Sequence, residues 1–261
     1  MKIPLEIGIR SFPWKKMAAV FLIPYLGACL SFDHRSQKPI IPPGRVVFTF
    51  DDGPNIHGDT TARLLDILKK HEVRAMFALL GENARQNPAL VRRIRDEGHI
   101  IVNHGYSDRF AVWMGDRDFY NNLIRGEAAI TAVLGEEPEP RFYRPQGGFY
   151  LKRQERIWRE AGYTLVPGSI RIYDAILSAA DKDRAITTLM RILEKKGGGI
   201  ILLHDARDSH ARMEARLAKR PRGSFNRSWI PDMVEEVIIL LKEKGYTMQG
   251  FDALYMPDRI D

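Results

Sequence analysis

Seven short apolar, β-branched or aromatic runs punctuate the chain, and stretches of helical periodicity separate most of them. The runs are Val46–Phe50, Ala75–Leu80, His99–Asn103, Arg141–Arg144, Thr164–Ser169, Gly199–Leu203 and Tyr246–Phe251. The clearest helical stretches are Thr61–Lys70, with Leu64, Leu65 and Leu68 on one face, Pro88–Glu97, Asp118–Leu134 and Pro231–Lys244. Pro88 and Pro231 each open a helix, where a missing N–H costs nothing because the first turn has no partner for it. Strands that alternate with helices are joined by crossovers and run parallel. The class is therefore α/β, as a barrel or as an open sheet, and no internal sequence repeat is visible. Both architectures place reactive side chains at the carboxyl ends of strands.

A chain of 261 residues, 44% hydrophobic and 28% charged, suits one large α/β domain or two small ones. The net charge of +7 does not require nucleic acid, and no nucleic-acid motif is present. Lys2, Arg10, Lys15 and Lys16 outweigh Glu6, so residues 1–28 carry +3 of it and leave +4. Those residues have a basic start followed by an apolar run, Met17–Leu26, too short to cross a bilayer as a helix of ~20 residues. The segment Leu26-Gly27-Ala28-Cys29 resembles the lipobox of bacterial lipoproteins, in which cleavage precedes a cysteine that is then lipidated. Cys29 is the sole cysteine, which also excludes an internal disulfide. An ordinary signal peptide, or an uncut anchor with an incidental cysteine, is the other reading. The lipobox reading makes residues 1–28 a signal peptide, 29–44 a proline-rich tether and 45–261 the catalytic domain. It places the protein in the bacterial cell envelope, anchored to membrane through lipid.

Four strand ends carry chemistry. The first closes in Thr49-Phe50-Asp51-Asp52-Gly53-Pro54, where a turn can aim two adjacent carboxylates into one site; a plain Asp-Gly-Pro turn is the alternative. The third ends in His104-Gly105-Tyr106-Ser107-Asp108, and a helical turn there would put His104 and Asp108 on one side. Imidazole and carboxylate suit divalent first-row metals. The fourth ends in Arg144-Pro145-Gln146-Gly147-Gly148, offering a guanidinium to a carboxylate and exposed backbone N–H groups. The sixth ends in His204-Asp205.

In this order, TFDDGP, NHGYSD, RPQGG and LLHD resemble the motifs of the polysaccharide deacetylases. These carbohydrate esterases act on chitin, peptidoglycan, poly-N-acetylglucosamine and related glycans. The resemblance runs from about Arg45 to about Leu254. It implies an irregular (β/α) barrel of about seven parallel strands. It further implies a metal-dependent hydrolase that removes the acetyl group from N-acetylated amino sugars in a bacterial glycan. On that resemblance Asp51 is the general base and Arg144 its partner. Asp52 and His104 are metal ligands, with Asp108 as the third. His204 is the general acid, oriented by Asp174. Leu202 forms a wall for the acetyl methyl, a backbone N–H near Gly147 completes the oxyanion site, and Tyr106 joins the substrate cleft. The cofactor is one divalent ion, zinc first, with manganese, iron, cobalt or nickel as alternatives.

The chain departs from the family in three places. Asp108 stands where the family has a second histidine. Pro145-Gln146-Gly147 replaces a Pro-Pro-Tyr-like segment. The stretch Ser169–Ala175 keeps one acid, Asp174, and lacks the usual tryptophan. Asp108 is a harder ligand than histidine, and the other two changes are expected to remodel the sugar cleft. Two segments look like elaborations: Arg109–Arg117, with Phe110 and Trp113 available to stack on sugars, and Arg207–Trp229, whose seven basic residues would meet an anionic polymer or simply solvent. Two further functions stay open on these residues: removal of formyl or another acyl group from a lipid-linked amino sugar, or glycan binding without turnover.

Overall fold

The structure, a computed structural model, describes residues 30–32, 41–55, 57–207 and 210–248. The architecture below lies within the compact unit Ser31–Asp261. Cys29 and the rest of residues 1–29, residues 33–40 of the expected tether, and the end of the expected last strand fall outside the described residues.

The sheet is built from β1 (Arg45–Gly53), β2 (Ala75–Leu79), β3 (Ile100–Asn103), β4 (Phe142–Tyr143), β5 (Thr164–Leu165), β6 (Ile170–Arg171), β7 (Gly199–His204) and β8 (Thr247–Met248). Around it lie α1 (Thr60–Lys70), α2 (Gly81–Gln86), α3 (Pro88–Asp96), α4 (Asp116–Leu134), α5 (Lys152–Glu160), α6 (Lys182–Lys196), α7 (His210–Lys219) and α8 (Ile230–Glu243). The strand order is β5-β4-β3-β2-β1-β7-β6, with β8 also against β1, and every pairing is parallel. Only four residues, Val166 to Ser169, join the two edge strands β5 and β6. An open sheet cannot have its two edges so close in sequence, so the sheet curls into the irregular (β/α) barrel expected from the motifs.

The two faces of β1 explain how the barrel is held and where its site lies. Successive side chains alternate. Val46, Phe48 and Phe50 join a buried cluster with Leu64, Leu65 and Leu68 of α1, Leu189 and Leu193 of α6, and Val237 and Leu241 of α8. Each such side chain contributes roughly 1.5–3 kcal/mol by leaving water. Val47 packs on the other face with Met76, Ala78, Ile100, Val102, Phe142, Val166 and Ile200, a cluster without any helical residue. Thr49 and Asp51 continue that inner row toward the carboxyl end of the strand. The register aligns Asp51 with His204 and Leu79 with Asn103, so the reactive ends of β1, β7 and β3 lie at one rim.

One expected strand is corrected. Of Thr164–Ser169 only Thr164–Leu165 is a strand, paired with β4; Pro167 and Gly168 end it, and the next strand, Ile170–Arg171, begins beyond the expected run and pairs with β7 at the other edge. The basic segment Arg207–Trp229 holds a helix, α7. The expected helices at Pro88 and Pro231 are present, with Asn87 capping α3 through a bond from Leu90 N–H.

Candidate active site

Asp51 ends the inner row of β1 and is 4% exposed. Arg144, the first residue beyond β4, reaches across the barrel to it. Its Nη1 donates to Asp51 Oδ1 at 2.5 Å and to Thr49 Oγ1 at 2.8 Å. Its Nε and Nη2 donate to the carbonyls of Val166 and Pro167 at 3.1 and 3.3 Å, on the segment that closes the barrel. A planar guanidinium fixed at four points holds the Asp51 carboxylate in one orientation.

Asp52 would point to the opposite side in a regular strand. Instead it takes φ 71°, and the β1–β2 register slips between Asp51 and Gly53. Such a left-handed residue is uncommon outside glycine but tolerated by Asp, and a bulge re-aims the side chain. The result is that Asp52 Oδ1 lies 3.4 Å from His104 Nε2, with both residues buried. His104 Nδ1 lies 2.7 Å from the Arg144 carbonyl, which can only accept, so Nδ1 carries the proton and Nε2 faces Asp52. Burial works against charge on both groups, yet neighbouring charges prevail: the His104 hydrogen bond and the charge of His204 hold the Asp52 carboxyl below the usual range, and the charge of Asp51 with the Asp52 pairing raises the His104 imidazole. A carboxylate beside an imidazole whose other nitrogen is anchored on a carbonyl is the donor arrangement that divalent ions take.

Across the rim, His204 ends β7. Its Nδ1 lies 3.0 Å from Asp174 Oδ1, and its backbone N–H donates to Asp174 Oδ2 at 2.9 Å. Asp174 is wholly buried, preceded by Tyr173 at φ 56°. Burial disfavours the His204 imidazolium, but the charge of Asp174 and its hydrogen bond outweigh this and lift His204 to about 9. For Asp174 burial favours the neutral acid, and the charges of His204 and Arg227 reverse that, lowering it.

The remaining expected residues divide. Leu202 lies two positions before His204 on the same side of β7, half-buried, with its Cδ1 against Gly168. Gly147 has φ 72°, and the Phe110 ring lies so close that a Cβ there would meet it at 2.0 Å, so only glycine fits. Phe110 in turn contacts Trp113, centroids 4.7 Å apart, and Trp113 is 71% exposed. Tyr106 is engaged away from these groups: the Arg125 guanidinium lies 4.0 Å over its ring, which also packs near Gly81. Asp108 does not join Asp52 and His104. Among the described residues no three His, Cys, Asp or Glu side chains group closely enough to hold a metal ion. The helical turn expected over His104–Asp108 does not form. Gly105 turns the chain at φ 75°, and the Asn122 carboxamide oxygen ties down the N–H groups of Tyr106 and Ser107.

Three residues escaped the sequence reading. Gln146, in the departed third motif, is wholly buried and donates to the His104 carbonyl, so that change braces a loop rather than lining a sugar cleft. Asp205 is also wholly buried. Thr61 donates to its Oδ2 at 2.5 Å, and the Asn55 carboxamide donates to its carbonyl at 2.8 Å. Burial, with the nearby charge of Asp52, pushes its carboxyl up to about 7. Arg227, expected on a solvated or polymer-facing loop, is 1% exposed and bonds Asp174. Arg207 and Arg216 from the same segment both lie over the Phe225 ring, at 4.5 and 4.6 Å. His204-Asp205 was visible as a pair, but only long-range packing reveals what Asp205 and Arg227 touch.

With this geometry in hand, the comparisons with known proteins converge. The family model for polysaccharide deacetylase matches residues 40–166. A peptidoglycan-N-acetylglucosamine deacetylase of Bacillus cereus is 33% identical over 215 residues, 82% of this chain and 69% of its own length. A crystal structure of the Bc1960 peptidoglycan N-acetylglucosamine deacetylase, in complex with 4-naphthalen-1-yl-N-oxidanyl-benzamide, matches with a TM-score of 0.66 and 30% identity, covering 82% of this chain and 89% of that one. A family 4 acetyl xylan esterase from Clostridium thermocellum, in complex with a cobalt ion, matches with a TM-score of 0.63 and 26% identity, covering 81% and 90%.

Proposed function

The chain belongs to the polysaccharide deacetylase family of carbohydrate esterases, and from that premise we propose that it N-deacetylates amino sugars of peptidoglycan, with one divalent ion as cofactor. The observation that carries this reading is the meeting of two charged pairs, Asp51–Arg144 and His204–Asp174, on either side of Asp52–His104 at one rim of the barrel.

Amide hydrolysis needs a proton taken from the attacking water, charge stabilised on the carbonyl oxygen, and a proton given to the leaving nitrogen. Asp51, clamped by Arg144, takes the proton of the water as it adds to the carbonyl carbon. The Gly147 N–H donates to the developing oxyanion, and Leu202 walls the acetyl methyl. His204, with Nδ1–H turned to Asp174, presents its Nε2 proton to the amine nitrogen as the C–N bond breaks. Asp52 and His104 would hold the divalent ion, and Asp108, the third ligand expected from the motif, does not stand with them in this structure. When bound, that ion supplies Lewis-acid polarisation of the carbonyl and a lowered pKa for water. A carboxylate beside an imidazole suits zinc, manganese, iron, cobalt or nickel, and the cobalt in the acetyl xylan esterase supports a first-row divalent ion. The exposed Phe110–Trp113 pair beside Gly147 offers a face for a sugar ring.

Acetate and formate released from peptidoglycan and from chitooligosaccharides test the reading. Acetate from peptidoglycan supports it. Formate alone from a lipid-linked amino sugar would reassign the acyl group, and glycan binding without either product would sink the reading.

The envelope location rests on the sequence Leu26–Cys29. No described helix is long and apolar enough to cross a membrane. We propose a lipidated Cys29 as the anchor. Partitioning into the detergent phase should vanish in Cys29→Ser; unchanged partitioning with residues 1–28 retained would contradict the lipid.

A further inference from the structure

We propose that Arg227 is a positioning residue for the His204 proton donor, acting through Asp174, by a fork of hydrogen bonds that ties Asp174 to the carboxyl end of β7. This inference rests on the function proposed above for His204.

Arginine is almost never fully buried unless it is paired. Arg227 is 1% exposed, in the connection between α7 and α8, and most of its hydrogen bonds run to Asp174 and His204. Nη2 donates to Asp174 Oδ2. Nη1 donates to the Asp174 carbonyl at 2.9 Å and to the Ser224 carbonyl at 3.2 Å. Nε donates to the His204 carbonyl at 3.1 Å, and the guanidinium lies 5.3 Å from the Trp229 ring centroid. One side chain thus holds both the carboxylate and the backbone of Asp174, together with the backbone of His204.

The division of labour on Asp174 follows. Oδ1 faces the imidazole alone, whereas Oδ2 is shared by Arg227 and the His204 N–H. The carboxylate cannot rotate without breaking one of these bonds, so the line from Asp174 through Nδ1 to Nε2 is fixed. Without Arg227, only His204 itself would hold a carboxylate inside the protein, and either oxygen could face the ring. Lysine does not substitute, because a single ammonium cannot reach Oδ2, the Asp174 carbonyl and the His204 carbonyl together. The other charges around the pair are Asp51 and Asp52 of β1, Asp205 and Arg207.

Misplacement of a reacting group by about 1 Å costs ~10²-fold. The test uses the full chain loaded with metal and compares Arg227→Lys and Arg227→Met with the parent. Arg227→Lys should fold, lower kcat about 10²-fold and leave KM little changed. Added to Asp174→Asn, it should lower kcat no further, since both changes break one chain of contacts. A second readout needs no turnover: the low-field Nδ1–H proton resonance of His204, identified by its absence in His204→Gln, should be present in the parent and lost in Arg227→Lys. Absence of acetate release by the parent would strike the proposed function and leave this resonance to decide on Arg227. A folded Lys or Met variant with parental kcat, a retained resonance, or additive loss in the double variant would overturn the inference. So would failure of both variants to fold, which would make Arg227 a residue of stability alone.

Discussion

At the scale of single residues, the site depends on environments that separate otherwise similar groups. His204 has Asp174 on one nitrogen and Asp51 and Asp52 within electrostatic reach, and its pKa rises to about 9. A group raised above its ordinary value keeps its proton until the pH passes the raised value. A proton donor at His204 therefore stays charged through neutrality, and kcat should fall as pH rises through about 9. Replacing Asp174 by Asn should bring that alkaline limb down toward the ordinary histidine value; a limb that stays near 9 would show that another group sets it. Asp205 is the opposite case, an acid raised by burial to about 7. A carboxyl raised on folding stabilises the protein while protonated, and that contribution is lost as pH climbs from about 4 to about 7. Asp205→Asn mimics the protonated acid, so its melting temperature should vary less with pH across this window than the parent's. Equal slopes would contradict the neutral buried acid.

Most of these residues were legible in the sequence because each follows directly from a strand end. Asp51, Asp52, His104, Arg144 and His204 all sit within two residues of the end of β1, β3, β4 or β7. Asp205 and Arg227 were not legible in role, because their meaning lies in partners 144 and 53 positions away.

At the scale of elements, the bulge at Asp52 and the turn at Gly105 decide what the motifs can do. Period-two alternation alone separates Asp51 from Asp52, and only the left-handed Asp52 brings the second carboxylate to His104. The same local control explains why Asp108 stands apart from Asp52 and His104: spacing of four residues means adjacency only on a helix, and Gly105 with Asn122 makes a loop instead. The segment from Arg109 to Gly115 has a different consequence. It lays Phe110 over Gly147 and leaves Trp113 exposed beside it. Trp113→Ala removes an exposed ring, so the fold should be unaffected. KM for a long N-acetylated glycan should rise roughly fivefold to tenfold, equivalent to ~1–1.4 kcal/mol, with kcat nearly constant. A KM unchanged for both long and short glycans would remove this pair from the substrate path.

At the scale of the whole molecule, the alternation of runs and helices announced a parallel α/β fold but not its closure. Barrel and open sheet share the same local pattern. The difference lies in Pro167 and Gly168, which end the expected strand after Leu165, lead the chain to the opposite edge strand Ile170–Arg171 and close the sheet around Arg144. β1 and β7 pair directly in register, which sets Asp51 and His204, the proposed base and acid, side by side at one rim. The central claim is that these two groups move protons in opposite directions around a divalent ion. Asp51→Asn tests it most directly, because it preserves shape and leaves Asp52 and His104 untouched. Acetate release from N-acetylated glycan and bound metal are measured on the same preparation. Turnover should fall ~10²–10⁴-fold while metal content stays at the parental level. Near-parental acetate release with metal bound would contradict the account.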